Sequence, residues 1–256
     1  MIQAFIRSLN ATRKKFNPKQ IIITWESHGT PSWRRELYPS YKPSQHIDMQ
    51  YVSQLKDLQI LLYLLGVSQY SAANNEADDV LATLVYNERY QDREIREDDL
   101  IVAKSLSLKN ILIYTVDKDI MQLVDEHCFI YHDKAKKIYD INEVFLKFNI
   151  HPKLIPDLLA IVGDKADNIQ GLNGYGNKKT VKLLEKYDNI ESIAEEEIGK
   201  EAKEIILKNK KLTLLNKQCT LRKATYNGEA TIESIMDKYE LKKMKESIEE
   251  YKLMGN

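Results

Sequence analysis

The stretch Leu158 to Leu184 reads LLAIVGDKADNIQGLNGYGNKKTVKLL and places two opposite chemistries side by side. Asp164 and Asp167 follow an apolar run, and carboxylates three apart at a helix end share one face. Such a pair suits a hard divalent cation. Gly171, Gly174 and Gly176 then lead into a helix that opens on Lys178 and Lys179. A glycine turn entering a helix presents backbone N–H groups to an anion such as phosphate. Alone, the pattern equally describes a helix end, a loop and a second helix.

Other acids recur at comparable places. Ile21-Ile22-Ile23-Thr24-Trp25 is a short apolar run of the kind found in buried parallel strands, and Glu26 follows it. Ile111 to Val116 is a second such run, followed by Asp117-Lys118-Asp119. Between them Glu76, Asp78 and Asp79 open a helix expected over Val80 to Asn87, where the macrodipole favours acids in the first turn. In open α/β sheets ligands gather beyond the carboxyl ends of the strands. Glu26, Glu76, Asp78, Asp79, Asp117, Asp119, Asp164 and Asp167 are therefore expected to meet at one sheet edge. So many carboxylates repel one another unless cations neutralise them. Oxygen ligands without Cys or His favour Mg²⁺ or Mn²⁺, and two such ions about 4 Å apart can activate water against a phosphodiester.

The elements that must position these acids alternate helix and strand. Met1 to Phe16 predicts an amphipathic helix with Ile2, Phe5, Ile6 and Leu9 on one stripe. Ser27 to Gln45 reads as a loop in which Trp33, Tyr38 and Tyr41 interleave with Arg34, Arg35 and Lys42, a mixture suited to phosphate contact and base stacking. Ile47 to Leu65 predicts a helix stopped by Gly66, and a strand near Val67 to Tyr70 follows. The charged excursion 90–110, with Arg96-Glu97-Asp98-Asp99, reads as a solvated face. Phe129-Ile130-Tyr131 and Lys137-Ile138-Tyr139 suggest a hairpin, then a helix over Asn142 to Phe148. From Pro152 onward the pattern is helical: Thr180 to Tyr187, Ile190 to Glu195, Glu201 to Asn209 and Glu233 to Leu253. The expectation is an α/β core over 1–150 and a helical domain over 151–256.

The 256 residues carry 38 basic and 38 acidic side chains, so anion binding must come from local segregation. Residues 1–45 carry basic Arg7, Arg13, Lys14, Lys15, Lys19, Arg34, Arg35 and Lys42 against Glu26 and Glu36. The next segment is predominantly acidic. Cys128 and Cys219 lie far apart without a CxxC motif or clustered histidines, which argues against zinc and a disulfide scaffold and for a reducing, intracellular compartment. No apolar run reaches the ~18 residues of a membrane span.

Taken together, Glu76-Ala77-Asp78-Asp79-Val80, Thr115-Val116-Asp117-Lys118-Asp119, and Gly163-Asp164-Lys165-Ala166-Asp167-Asn168-Ile169 followed by Gly171 to Thr180 resemble the flap endonuclease and 5′→3′ exonuclease family. That family includes the nuclease domain of bacterial DNA polymerase I and phage-type 5′ nucleases. The resemblance runs from residue 1 to about 225. It implies a Rossmann-like (PIN-like) parallel-sheet core joined to a helix-hairpin-helix (H3TH) domain. It also implies structure-selective cleavage of DNA, or of RNA–DNA hybrids, near 5′ ends or flaps in replication or repair. Two divalent cations follow from it: Glu76, Asp78, Asp79 and Asp117 resemble ligands of one, Asp119, Asp164 and Asp167 those of the second, and Glu26 stands where the family usually has Asp. Gly171, Gly174, Gly176, Lys178 and Lys179 resemble the hairpin that grips duplex phosphates and can hold K⁺ through backbone oxygens. Arg34 and Lys42 resemble the basic pair beside the scissile phosphate, with Lys42 stabilising transition-state charge. A monomer working beside a separate DNA polymerase is implied. Three departures stand out. The family's first strand, with its aspartate, has no counterpart; Glu26 replaces an aspartate; and downstream of Lys42, Gln45 replaces a basic residue and the 90–110 excursion is long. They leave open a second expectation, a weakly catalytic or inactive DNA-junction binder or one part of a split nuclease.

Overall fold

The structure is a computed structural model that describes residues 1–27, 30–42, 48–90 and 110–241. The expectations for Gln45, for most of the 90–110 excursion and for the helix beyond Leu241 lie outside these residues. The chain forms two compact units that interleave in sequence. The first takes Met1–Thr30, Ser44–Ala77 and Thr220–Asn256, and the second Pro31–Pro43 and Asp78–Cys219.

In the first unit, helix α1 (Ile2–Phe16) carries Arg13, Lys14 and Lys15 in its last turn, where cations complement the dipole, and ends at Asn17 in the left-handed region. Helix α3 (Met49–Leu64) starts on Asp48, whose carboxylate accepts the Gln50 N–H at 2.8 Å. Ile2 and Ile6 of α1, Leu58, Leu61 and Leu62 of α3, and Ile235 and Met236 of α10 (Ile232–Lys238) form one core. Strand β1 (Ile22–Thr24) pairs in parallel with β2 (Ser68–Ser71), Ile22 opposite Ser68 and Thr24 opposite Tyr70. On the far side of β2, β8 (Arg222–Lys223) runs antiparallel. No apolar alternation marked β8 in the sequence, because its two residues are charged and exposed, as suits an outer strand.

In the second unit, β3 (Ile111–Tyr114) pairs in parallel with β4 (Cys128–His132), which pairs antiparallel with β5 (Lys137–Tyr139). Helix α5 (Ile141–Phe148) is capped by Asp140 and closed by Asn149 in the left-handed region. Helix α6 (Ile155–Val162) is buried from Ile155 to Ile161 and packs on α9 (Lys200–Thr213). Its surface is apolar all round, as a central helix needs, except for Asp157, which Lys210 of α9 pairs at 2.7 Å. Helices α2 (Trp33–Leu37), α4 (Ala77–Tyr90), α7 (Asn177–Tyr187) and α8 (Glu195–Ile198) are the remaining α-helices among the described residues. The expected loop at Ser27 to Gln45 thus contains a helical turn, because Ser32 caps it by accepting the Arg34 N–H. The helix expected over Ile190 to Glu195 is not formed; residues 190–194 lie in turns and bends ahead of α8, which begins at Glu195. Lys203 holds that segment from α9, its ammonium donating to the carbonyls of Ile190, Glu191 and Ile193 at 2.6 to 2.7 Å.

Candidate active site

Asp164 and Asp167 do not share a helix face. Helix α6 ends at Val162 because Gly163 takes φ +84°, and two short strands follow, β6 (Gly163–Asp164) and β7 (Ile169–Gln170), paired antiparallel. A Cβ at Gly163 would lie 2.4 Å from the Gly171 nitrogen, and one at Gly171 would lie 2.1 Å from the Val162 carbonyl oxygen. Two backbones meet here at a distance only glycine permits. Gly171 therefore serves this close approach, which fixes where Asp164 and Asp167 point.

Asp164 is buried at 4% exposure. Its Oδ1 accepts the Ala166 N–H at 2.9 Å and its Oδ2 lies 2.7 Å from Lys118 Nζ. Asp167 accepts the Tyr41 hydroxyl at 3.0 Å and lies 3.8 Å from Lys42 Nζ. The Lys42 N–H donates to the Asp167 carbonyl, and Asn168 Nδ2 to the Ser40 carbonyl. The 38–42 segment is thereby stapled to the 164–168 turn, with Tyr41 buried against Ile169 and Leu212. Tyr41 and Lys118 are parts of the site that motif reading passed over. Lys118 was visible between two aspartates, whereas Tyr41 had no signal beyond its basic neighbours.

Asp117 and Asp119 leave β3 in a tight turn: the Asp117 N–H donates to Thr115 Oγ1 and the Asp119 N–H to Asp117 Oδ1. Asp119 begins a 3-10 turn over Asp119–Leu123 that Gln122 anchors, donating to the Asp119 and Thr213 carbonyls and accepting the Leu215 N–H. One carboxylate oxygen of Asp119 is buried without a hydrogen-bond partner. Burial, then the like charges of Asp117, Asp164 and Asp167, push the Asp119 carboxyl up to about 7, with Lys118 opposing. Burial pulls the Lys118 ammonium down, but its hydrogen bond and charge contact with Asp164 raise it overall.

Two expected members are placed elsewhere. Arg34 is 1% exposed and Asp79 0%, and they form a two-pronged ion pair at 2.6 and 2.8 Å. Asp79 also accepts from the Asn216 N–H and Trp33 Nε1, while Arg34 donates to the Leu212 and Leu214 carbonyls. Arg34 therefore does not stand at a scissile phosphate, and Asp79 has its oxygens committed before any ion arrives. The pair ties α2 and α4 to the end of α9. Asp78 is half-buried on α4. Glu26, exposed beyond β1, and Glu76, 7% exposed, belong to the first unit.

Among the described residues no three carboxylate, His or Cys groups gather closely enough to hold a metal ion. The chemistry of Asp117, Asp119, Asp164 and Asp167 nevertheless fits a hard divalent cation. All four offer oxygen, Asp119 has an unsatisfied one, and Lys118 already supplies a positive charge to Asp164.

Gly174 takes φ +77° and Gly176 precedes α7, and a Cβ at either would meet nothing within 4 Å. This turn is open. Lys178 and Lys179 are exposed in the first turn of α7, and Lys179 Nζ lies 3.7 Å from the Tyr175 ring centre. Cations at a helix N-terminus oppose the dipole, a cost that a bound anion offsets.

Residues 1–149 match the family described as 5′-3′ exonuclease, N-terminal resolvase-like domain, and residues 150–246 match its C-terminal SAM fold. A 5′-3′ exonuclease of Aquifex aeolicus is 29% identical over 75% of this chain and 61% of its own length. The DNA polymerase I of Pseudomonas aeruginosa is 31% identical over 72% of this chain and 18% of its own. The chain thus spans less than two thirds of the length of these relatives. Its fold resembles that of the bacteriophage T5 flap endonuclease solved with DNA and metal ions, with a TM-score of 0.67 and 18% identity over 98% of this chain and 90% of that one. The fold class expected above, an α/β core joined to a helical domain, is that of this fold. Two family matches in succession, covering residues 1–246, place the chain in the 5′-3′ exonuclease family.

Proposed function

We propose that the chain is a structure-selective 5′→3′ exonuclease and flap endonuclease that hydrolyses phosphodiesters of DNA, and of RNA–DNA hybrids, with two divalent cations, Mg²⁺ or Mn²⁺. The observation that carries this reading is the group formed by Asp117, Asp119, Asp164 and Asp167. It holds a buried, unpartnered carboxylate oxygen, with Lys118 and Lys42 as the adjacent cations. Asp117, Asp119, Asp164 and Asp167 would hold the cations, with Asp78 of the same unit as a further candidate. When bound, two such ions activate water and stabilise the leaving oxygen. With cations held there, Asp164 would no longer depend on Lys118 for compensation, and the Lys118 ammonium would be available to a phosphate. Lys42, held in place by Tyr41 and Asp167, offers positive charge to the oxygens of the reacting phosphate. The open turn at Gly174 and Gly176, with Lys178 and Lys179, holds the duplex, and its carbonyls are suited to K⁺. We place the chain at 5′ ends left by a separate polymerase, acting as a monomer.

The test is cleavage of a 5′-flap duplex in Mg²⁺. Wild type is expected to cut at the junction and Asp164→Asn to be slower by at least about 10²-fold, the scale of losing one group that stabilises transition-state charge. Absence of cleavage by wild type, or an unimpaired Asp164→Asn, overturns the reading. A second reading, junction binding with little hydrolysis, is favoured by the lack of a tight carboxylate triad among the described residues. Flap binding that persists in EDTA, with no cleavage in any metal, selects it.

A further inference from the structure

The first unit contains a cavity of about 480 Å³ that none of the roles above uses, although Glu26 borders it. Its walls come from one face of α3, from the residues just beyond β1, from β2 and Ala73 after it, and from β8 and the chain that follows. Lys56 and Tyr63 stand two turns apart on that α3 face. The floor is fixed. Gln69 is 1% exposed and fully engaged, accepting from Trp25 Nε1 at 2.8 Å and donating to the Gln59 carbonyl at 2.9 Å.

The lining combines two properties that a structural cavity has no use for. Tyr63, 38% exposed, meets Tyr226 edge to face at 6.2 Å, and Tyr226 is held by accepting the Ala230 N–H. A flat aromatic surface is thus presented in a defined position. Lys56 and Arg222 also line the cavity, are exposed and form no ion pair among the described residues. Aromatic faces beside unpaired cations bind a base and its phosphate together, and the volume lies in the range of small-ligand sites. We propose that this cavity takes one nucleotide of the single-stranded 5′ flap, its base against Tyr63 and its phosphate on Lys56 and Arg222. The assignment rests on the nuclease reading and adds to it a place where the unpaired strand, rather than the duplex, is recognised.

The experiment measures affinity in EDTA for two duplexes of one sequence, blunt or carrying a five-nucleotide thymidine 5′ flap. Lys56→Ala/Arg222→Ala and, separately, Tyr63→Ala are expected to weaken flap binding by about tenfold, within the usual scale of one stacked base, and to leave blunt binding unchanged. All three side chains are solvent-exposed, so the variants should melt with the wild type. A flap bearing 5-iodouracil should photocrosslink to Tyr63. Equal loss on both duplexes, or no loss, overturns the assignment while the nuclease reading stands. A wild type that binds neither duplex overturns both, and a flap that binds without crosslinking to Tyr63 removes the base from this wall.

Discussion

Asp79 and Asp119 are acids drawn into the interior of the same unit, yet their surroundings are opposite. Asp79 is matched on both oxygens by the Arg34 guanidinium, an amide N–H and an indole N–H. Asp119 keeps a buried oxygen with no partner and faces three more carboxylates. Burying a charge costs several kcal/mol unless it is paired and hydrogen-bonded. The first acid has that compensation within the chain; the second waits for a cation from outside. Satisfaction of the buried oxygens, rather than burial or position in a motif, separates the acid that holds the fold from the acid poised for chemistry.

The largest effect expected from this contrast is on the satisfied pair. Arg34→Met removes the guanidinium and leaves Asp79 buried and unpaired, which costs about 3 to 5 kcal/mol and lowers Tm by roughly 10 °C in a domain of this size. Thermal melts followed by circular dichroism check it. A Tm within about 2 °C of wild type would show that the pair contributes little. Catalysis should fall only as far as folding does.

Asp119→Asn should behave in the opposite way. Removing an unpaired charge from beside Asp117, Asp164 and Asp167 is expected to stabilise the metal-free protein by about 1 to 3 kcal/mol, the scale of an unsatisfied buried polar group. Flap cleavage should drop by roughly 10²-fold or more. The gain should shrink when Mg²⁺ is added to both proteins, because the ions neutralise wild type and have less to offer the variant. Urea unfolding with and without metal reads both arms. A destabilised Asp119→Asn would mean that the carboxylate already has the compensation that Asp79 has.

The same contrast explains what the sequence could and could not disclose. Acids placed after Ile111 to Tyr114 and at the start of α4 are legible because strand and helix periods are local, and so is the glycine turn into α7. Which acid is neutralised is not local. Arg34 reaches Asp79 across 45 residues and the Leu212 carbonyl across 178, so Arg34, which resembled a phosphate-binding residue, is a strut of the fold. Tyr41 was legible only as an aromatic among cations, and its hold on Asp167 across 126 residues needed the fold. Gly171 read as one glycine of the turn into α7 and Gly163 only as part of a motif, but their role is the contact between two backbones that moves Asp164 and Asp167 off the helix. Strand β8, two charged residues long, had no periodicity to read.

A third acid tests the comparison at its mild end. Asp57 of α3, 19% exposed, accepts from Lys238 Nζ and the Tyr239 hydroxyl at 2.6 Å each, joining α3 to α10. Burial raises its carboxyl, but the hydrogen bonds from Lys238 and Tyr239 and the Lys238 charge outweigh this and hold it below the ordinary 3.8. An acid with a lowered native pKa contributes stability that is fully present above its unfolded value and is lost as pH falls through the native one. The window therefore lies below pH 4. Asp57→Asn should cost about 0.5 to 1 kcal/mol at pH 7, as for a partly exposed ion pair, and the gap to wild type should close as pH drops from about 4 to 2.5. Urea unfolding of the two proteins across that range measures it. A gap that stays constant would assign the contribution to the hydrogen-bond geometry, which asparagine partly preserves, instead of to charge. Asp57 would then fall outside the series in which compensation of charge decides what a buried acid does.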